Sequence, residues 1–157
     1  MEPQFMVDIN VGRLARWLRA TGYDADLFTG RDDSDMVRTA LKEGRIVLTR
    51  DGGVARRRVV TTGRLRVLHL RSDSVREQLR QVVSAFSLNP THRPFSLCLE
   101  CNRPLEGRGK EVVVGLAPTY VFSTQWEFSQ CPSCGRIYWQ GTHWDAMRNW
   151  LQELEEV

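Results

Sequence analysis

Short apolar runs alternate with helical stripes through the first half of the chain. Phe5–Ile9 is a strand candidate with Asp8 near its end. Gly12 breaks that pattern. Over Arg13–Thr21, residues Leu14, Ala15, Trp17 and Leu18 fall on one arc at helical spacing. Arg13, Arg16 and Arg19 are expected on the opposite arc, and Gly22 is placed to stop the helix in the left-handed conformation. Ala25–Phe28 is a second strand candidate. Asp32-Asp33-Ser34-Asp35 then opens a helix with Met36, Val37, Ala40 and Leu41 on one face, and Gly44 ends it. Ile46–Leu48 is apolar and β-branched, which predicts a buried strand of a parallel sheet. It runs into Thr49, Arg50 and Asp51. Gly52-Gly53 leads to a short basic helix ending at Arg56-Arg57-Arg58, and Leu65–Leu70 is a fourth strand candidate. Ser74 and Glu77 have capping-box spacing, ahead of an amphipathic helix carrying Val75, Leu79, Val82, Val83 and Phe86.

This β-α alternation predicts a three-layer α/β domain with a mainly parallel sheet over residues 1–87. Residues 88–95, with Asn89-Pro90 and Arg93-Pro94, read as a linker. A second module with a C-terminal helix occupies 96–157. Ligands of open α/β sheets sit outside the carboxyl ends of the strands. Asp8 and Asp51 are therefore expected at the rim of a site. Capping by Asp32 or Ser34 accounts for part of the acidic cluster at 32–35, since negative charge is favoured in a first helical turn.

Charge sharpens the picture. The 157 residues carry a net charge of +3. Residues 1–95 hold 17 Lys and Arg against 11 Asp and Glu, a net +6, while residues 96–157 hold 5 against 8, a net −3. All of the basic residues of the first part except Lys42 are arginine, which suits contacts to phosphate. Nucleic acid is the partner class this favours over plain solubilising charge. A hydrophobic content of 41% is enough for a packed globule. No run approaches the ~18 apolar residues of a membrane span. Met1-Glu2-Pro3-Gln4 lacks the pattern of an export signal, so a cytoplasmic setting is expected.

The four cysteines form two C-x-x-C pairs, Cys98/Cys101 and Cys131/Cys134, with 29 residues between them. Reduced in the cytoplasm, they supply four thiolates for one tetrahedral zinc ion, a closed and therefore structural site. Strands such as Glu111–Val114 and Tyr120–Phe122 are expected between the knuckles, as in a zinc ribbon. His143 lies nine residues past Cys134 and is read as a structural or polar contact, because four thiolates fill the sphere. Trp126, Phe128, Tyr138, Trp139 and Trp144 are divided between a small core and a stacking surface for bases, with core preferred for most of them.

No P-loop, nucleophile elbow or H-E-x-x-H motif occurs. What remains is the acidic set: Asp8, Asp51 and one of Asp32, Asp33 and Asp35. Hard divalent cations such as Mg²⁺ or Mn²⁺ take carboxylate oxygens and can serve phosphodiester cleavage. Arg13, Arg16 and Arg50 would hold the phosphates.

Val7-Asp8, Gly12 to Arg19 (GRLARWLR), Gly22-Tyr23-Asp24 and Glu43 to Asp51 (EGRIVLTRD) resemble the Mut7-C RNase family. So do Cys98-x-x-Cys101-Asn102 and the run from Cys131 to Trp144 (CPSCGRIYWQGTHW). The resemblance implies a PIN-like nuclease domain followed by a zinc ribbon, and metal-dependent cleavage of RNA. By position it implies Asp8, Asp35 and Asp51 as the acidic site, with Asp35 chosen for its place at the helix start and Asp73 as the candidate fourth acid. RNA in single-stranded regions, with ribosome or tRNA among the bodies presenting it, is the expected partner. The rival expectations are an RNA- or ribosome-binding module with a weak or idle acidic site, and a toxin-like protein held by an antitoxin.

Overall fold

The computed structural model describes residues 2–91 and 93–155. Met1, His92, Glu156 and Val157, which the boundaries above assign to the first domain, the linker and the second module, lie outside the described residues. Four parallel strands, β1 (Phe5–Val7), β2 (Ala25–Leu27), β3 (Ile46–Thr49) and β4 (Val67–His69), stand in the order β2-β1-β3-β4. Side chains alternate across the pleat, so each strand feeds two cores. Phe5, Val7, Ile46 and Leu48 point to one face. There they meet Leu14 and Leu18 of α1 (Arg13–Ala20) and Leu79 and Val82 of α5 (Val75–Phe86). Met6 and Val47 point to the other face, against Met36, Val37 and Ala40 of α2 (Asp33–Glu43) and Val54 of α3 (Gly52–Ala55). The short α4 (Arg58–Thr61) completes that layer through Val59 and Val60. The domain is thus the three-layer α/β arrangement that the alternation predicts.

Several local expectations are corrected. The first strand stops at Val7 because Ile9–Val11 forms a 3₁₀ turn that leaves Ile9 exposed. The fourth strand is confined to Val67–His69. Arg56-Arg57-Arg58 straddles the gap between α3 and α4 instead of ending one helix. Ser74 makes no side-chain cap on α5; its backbone N–H instead binds Ser72 Oγ at 3.0 Å. Gly22 (φ 89°) and Gly44 (φ 71°) take the left-handed conformation their positions require.

The second module holds an antiparallel sheet β5-β6-β7, with β5 Glu106–Arg108, β6 Phe128–Gln130 and β7 Ile137–Tyr138. Its core is Val113, Val121, Phe128 and Ile137. The expected strands Glu111–Val114 and Tyr120–Phe122 do not form. The first segment is a succession of turns, and the second lies in helix α6 (Thr119–Thr124). Val113 and Val121 fill this core from a turn and a helix, so their β-branched character serves burial and not pairing.

The last helix, α7 (Thr142–Glu155), returns to the first domain. Its Trp150, Leu151 and Leu154 are buried in the same core as Phe5 and Leu14, and Trp17 meets Trp150 edge to face at 4.6 Å. Removing the Leu151 side chain from such a site typically costs about 2–5 kcal/mol. The segment at 88–95 is pinned as well. Asn89 N–H donates to Tyr23 Oη at 2.9 Å, and Phe95 N–H donates to the Ala20 carbonyl at 2.8 Å.

Candidate active site and metal centre

β1 leads through α1 to β2 on one side, and β3 leads through α3 and α4 to β4 on the other. The chain therefore leaves the carboxyl ends of β1 and β3 in opposite directions, which opens a crevice at a topological switch point. Asp8 and Asp51 stand at this point. Asp8 follows β1, and its N–H extends the ladder to Leu48 at 3.0 Å. Its carboxylate is buried and accepts the Thr49 hydroxyl at 2.7 Å on Oδ2. Asp51 caps α3, accepting the Gly53 N–H at 2.8 Å.

Thr49, the last residue of β3, joins the two acids. Its Oγ1 accepts the Asp51 N–H at 3.0 Å and the Asn10 amide at 3.4 Å. Both of those partners are donors, so both lone pairs of the hydroxyl are used. Its proton must then go to Asp8. Thr49 is fully buried, and this arrangement leaves it no other. Asn10 closes the loop by accepting the Arg50 N–H at 3.3 Å. Sequence reasoning passed over Thr49. The available signal was a polar residue ending a buried strand two positions before an acid.

The acidic cluster resolves into separate roles. Asp32 caps α2 through the Asp35 N–H at 2.8 Å. Asp35, the residue chosen from sequence, pairs with Arg38 at 3.1 Å. Asp33 is the one that meets the other acids. Burial pushes its carboxyl above the usual range. The charges of Asp8 and Asp51 and a hydrogen bond shared with Asp51 push it further, against the pull of Arg57. The placement of Asp33 was within reach of the sequence. Asp33 precedes Met36 and Val37 by three and four residues, which puts it on the buried side of α2. Asp73 is exposed in the approach to α5.

The arginines separate in the same way. Arg13 is exposed at the start of α1. Arg16, further along the same helix, forms an ion pair with Glu100. Arg19 is buried rather than solvated. It donates to the Ala25 carbonyl at 2.9 Å and the Leu99 carbonyl at 2.7 Å, so it ties the modules together and offers nothing to phosphate. Arg50 is exposed between the two strand-end features, and its carbonyl accepts from His69 Nε2 at 3.0 Å. Arg57, not singled out from sequence, donates to Ser34 Oγ at 3.1 Å beside Asp33.

The four cysteine sulfurs lie within 4.8 Å of one another and can hold a metal ion. Among the described residues they are the group of three or more potential ligands so placed; the carboxylates are not drawn as close. Cys98 and Cys134 sulfurs are 3.8 Å apart, which is about the edge of a tetrahedron with 2.3 Å metal–sulfur bonds. Each knuckle closes the same way. Asn102 and Gly135 take φ near +60° and +76°, and each N–H bonds back to the first cysteine's carbonyl at 2.9 Å. Burial raises the Cys131 thiol, but the backbone N–H groups of Cys134 and Ser133 outweigh it and bring it down to about 7. Tyr138, pushed well above its usual range by burial and by Cys98, keeps its proton and lies 3.2 Å from Cys98 Sγ. His143 is exposed and outside the cluster.

The first knuckle is docked. Asn102 accepts the Ala25 N–H at 3.0 Å and donates to Asp24 at 2.6 Å, and Asp24 in turn binds Arg45 at 2.7 Å. Among the described residues, no helix is long and apolar enough to cross a membrane. No curated protein and no solved structure is significantly similar to the chain. The model of the Mut7-C RNAse domain matches residues 3–151, nearly the whole chain, and the protein belongs to that family.

Proposed function

We propose that the protein is a Mg²⁺- or Mn²⁺-dependent endoribonuclease whose acidic site is Asp8, Asp33 and Asp51. Membership of an RNAse family supports nuclease chemistry on RNA. The observation that carries the site is the Thr49 bridge, which ties the Asp8 carboxylate to the Asp51 backbone N–H at the switch point, with Asp33 beside them. The donor set is all oxygen, which fits a hard divalent cation. Such an ion, when bound, activates water and offsets charge on the scissile phosphate. The chain's own residues orient the carboxylates, through Thr49 and the Gly53 N–H, and bring Arg50 and Arg57 to the phosphate side. The four thiolates are assigned to structural zinc, consistent with a cytoplasm that keeps thiols reduced. The substrate is RNA with unpaired segments, as ribosomal or transfer RNA presents.

The test is incubation of the purified protein with mixed RNAs in Mn²⁺ or chelator, alongside Asp51→Asn. Cleavage that needs the metal and disappears in the variant is expected. Equal cleavage by Asp51→Asn removes the proposed site. One observation favours the second reading, an RNA-binding module with an idle site: the carboxylates are more widely spaced than the cysteines. Salt-sensitive RNA binding without any metal-dependent cleavage would select it.

A further inference from the structure

A cleft of about 580 Å³ lies between α1, α6, β7 and the start of α7. Its volume is in the range of sites that enclose small organic groups. Arg16 of the first domain, Tyr120, Arg136, Trp139, His143 and Trp144 line it, with Asp145 the acid of its lining. Tyr120 is 71% exposed, so its ring is accessible to a ligand in the cleft. Trp139 and Trp144 are half-buried. Trp144 meets Phe95, which also lines the cleft, at 5.0 Å and the Arg148 guanidinium at 5.2 Å, so its ring is held in place.

We propose that this cleft is a base-stacking subsite for single-stranded RNA, fed from the acidic site along the Arg13–Arg16 face of α1. The proposal deepens the ribonuclease reading and rests on it for the choice of RNA. Aromatic faces take any base by stacking, and arginine supplies backbone contacts, the combination single strands require. Continuity supports the path. Asp8 begins the 3₁₀ turn that leads into α1, Arg13 opens that helix, and Arg16 reaches the cleft. Paired bases cannot present their faces to the rings, so duplex is excluded.

Binding of a fluorescein-labelled 2′-O-methyl oligoadenylate, which resists cleavage, to the zinc-loaded 157-residue protein tests this. Tyr120→Ala should weaken binding roughly tenfold. Arg136→Gln should weaken it and flatten the salt dependence by about 0.7 in log–log slope, one single-strand phosphate contact. Arg38→Gln, on α2, serves as the reference and should bind like the parent. A double-stranded competitor should displace the probe poorly. Unchanged affinity in both cleft variants, or equal competition by duplex, overturns the proposal and leaves the cleft to a protein partner. Trp fluorescence and thermal melting of each variant identify any loss of fold, and Tyr120→Phe, which keeps the ring, should bind like the parent. The two readings separate cleanly. If cleavage depends on Asp51 while the cleft variants bind normally, only the subsite fails. If the variants lose binding and the parent never cleaves, only the enzyme fails.

Discussion

Asn102 Nδ2 and Asp24 Oδ1 stand 2.6 Å apart across the junction between the metal knuckle and the parallel sheet. The same asparagine accepts the Ala25 N–H and holds a left-handed backbone, φ 60°, that closes the knuckle. One residue therefore shapes the metal site and fastens it to the sheet edge.

Glycine can replace the backbone role alone, as Gly135 does in the other knuckle. Asn102→Gly should keep the metal and the knuckle turn but leave the Ala25 N–H and Asp24 without this partner. A loss of about 1–3 kcal/mol in urea unfolding, with unchanged zinc stoichiometry, is expected. Loss of zinc in this variant would show that the docking, and not the turn, builds the site.

The junction should be acid-sensitive. Burial raises the Asp24 carboxyl, but hydrogen bonds from Arg45 and Asn102, with the charges of Arg45 and Arg19, outweigh it and hold the carboxyl below its ordinary value. A depressed acid stabilises the fold above its unfolded value of about 3.9 and loses that contribution as pH falls through the folded value. Urea midpoints should therefore drop below about pH 4, and Asp24→Asn should flatten the drop. An unchanged slope in that variant removes Asp24 as the acid sensor.

Thr49→Val keeps the shape and deletes the hydroxyl. It leaves the Asp51 N–H and the Asn10 amide without their acceptor, and Asp8 Oδ2 without its donor. A destabilisation of about 1–3 kcal/mol and a lower rate of RNA cleavage are expected, with Thr49→Ser restoring both. A Ser variant as slow as Val would mean that the hydroxyl alone does not hold the site and that the packing of the Thr49 methyl is needed as well.

Asp33 behaves in the opposite sense to Asp24. Its carboxyl is raised, first by burial and then by Asp8 and Asp51, so the folded state favours its protonated form. Stability of the metal-free protein should rise as pH falls from neutrality through that raised value toward the unfolded one. Asp33→Asn should raise the melting temperature at pH 7 by about 1–2 °C, the scale of a solvent-screened charge. It should also reduce the stabilisation by Mn²⁺ that the proposed site predicts for the parent. A variant that melts lower than the parent would remove the repulsion.

Metal loss should spread beyond the ribbon. Cys131→Ser with Cys134→Ser removes two of the four thiolates and leaves a core of four buried residues. Residues 106–138 should become protease-sensitive. Because α7 follows directly and carries Trp150 and Leu151 into the first core, the main unfolding transition should weaken too. Retention of zinc with full protection would overturn the four-thiolate assignment.

The legible parts of the fold were those governed by long apolar periodicity. The strand Ile46–Thr49, the stripe of α5 and the cysteine spacing all declare themselves. The ribbon strands do not: Glu106-Gly107-Arg108 is short, polar and without alternation. Arg19 misleads for a geometric reason. Steps of three residues lag the helical turn by about 60° each, so the third arginine in the series rotates off the solvent arc. At the acidic site, strand ends fix Asp8 and Asp51. The choice between Asp33 and Asp35 depends on how α2 is rotated against the sheet, and only the spacing to Met36 and Val37 encodes that.

The return of α7 to the first core also has a consequence in time. Phe5 is made well before Trp150, Leu151 and Leu154, so its core waits for them. Synthesis delivers roughly 5–20 residues per second, so the sheet spends seconds with part of one face open. A half-made chain has its strand-end carboxylates but lacks the helix that completes the core beneath them. A member of an RNAse family in this way lacks part of its core while it is still attached to the ribosome.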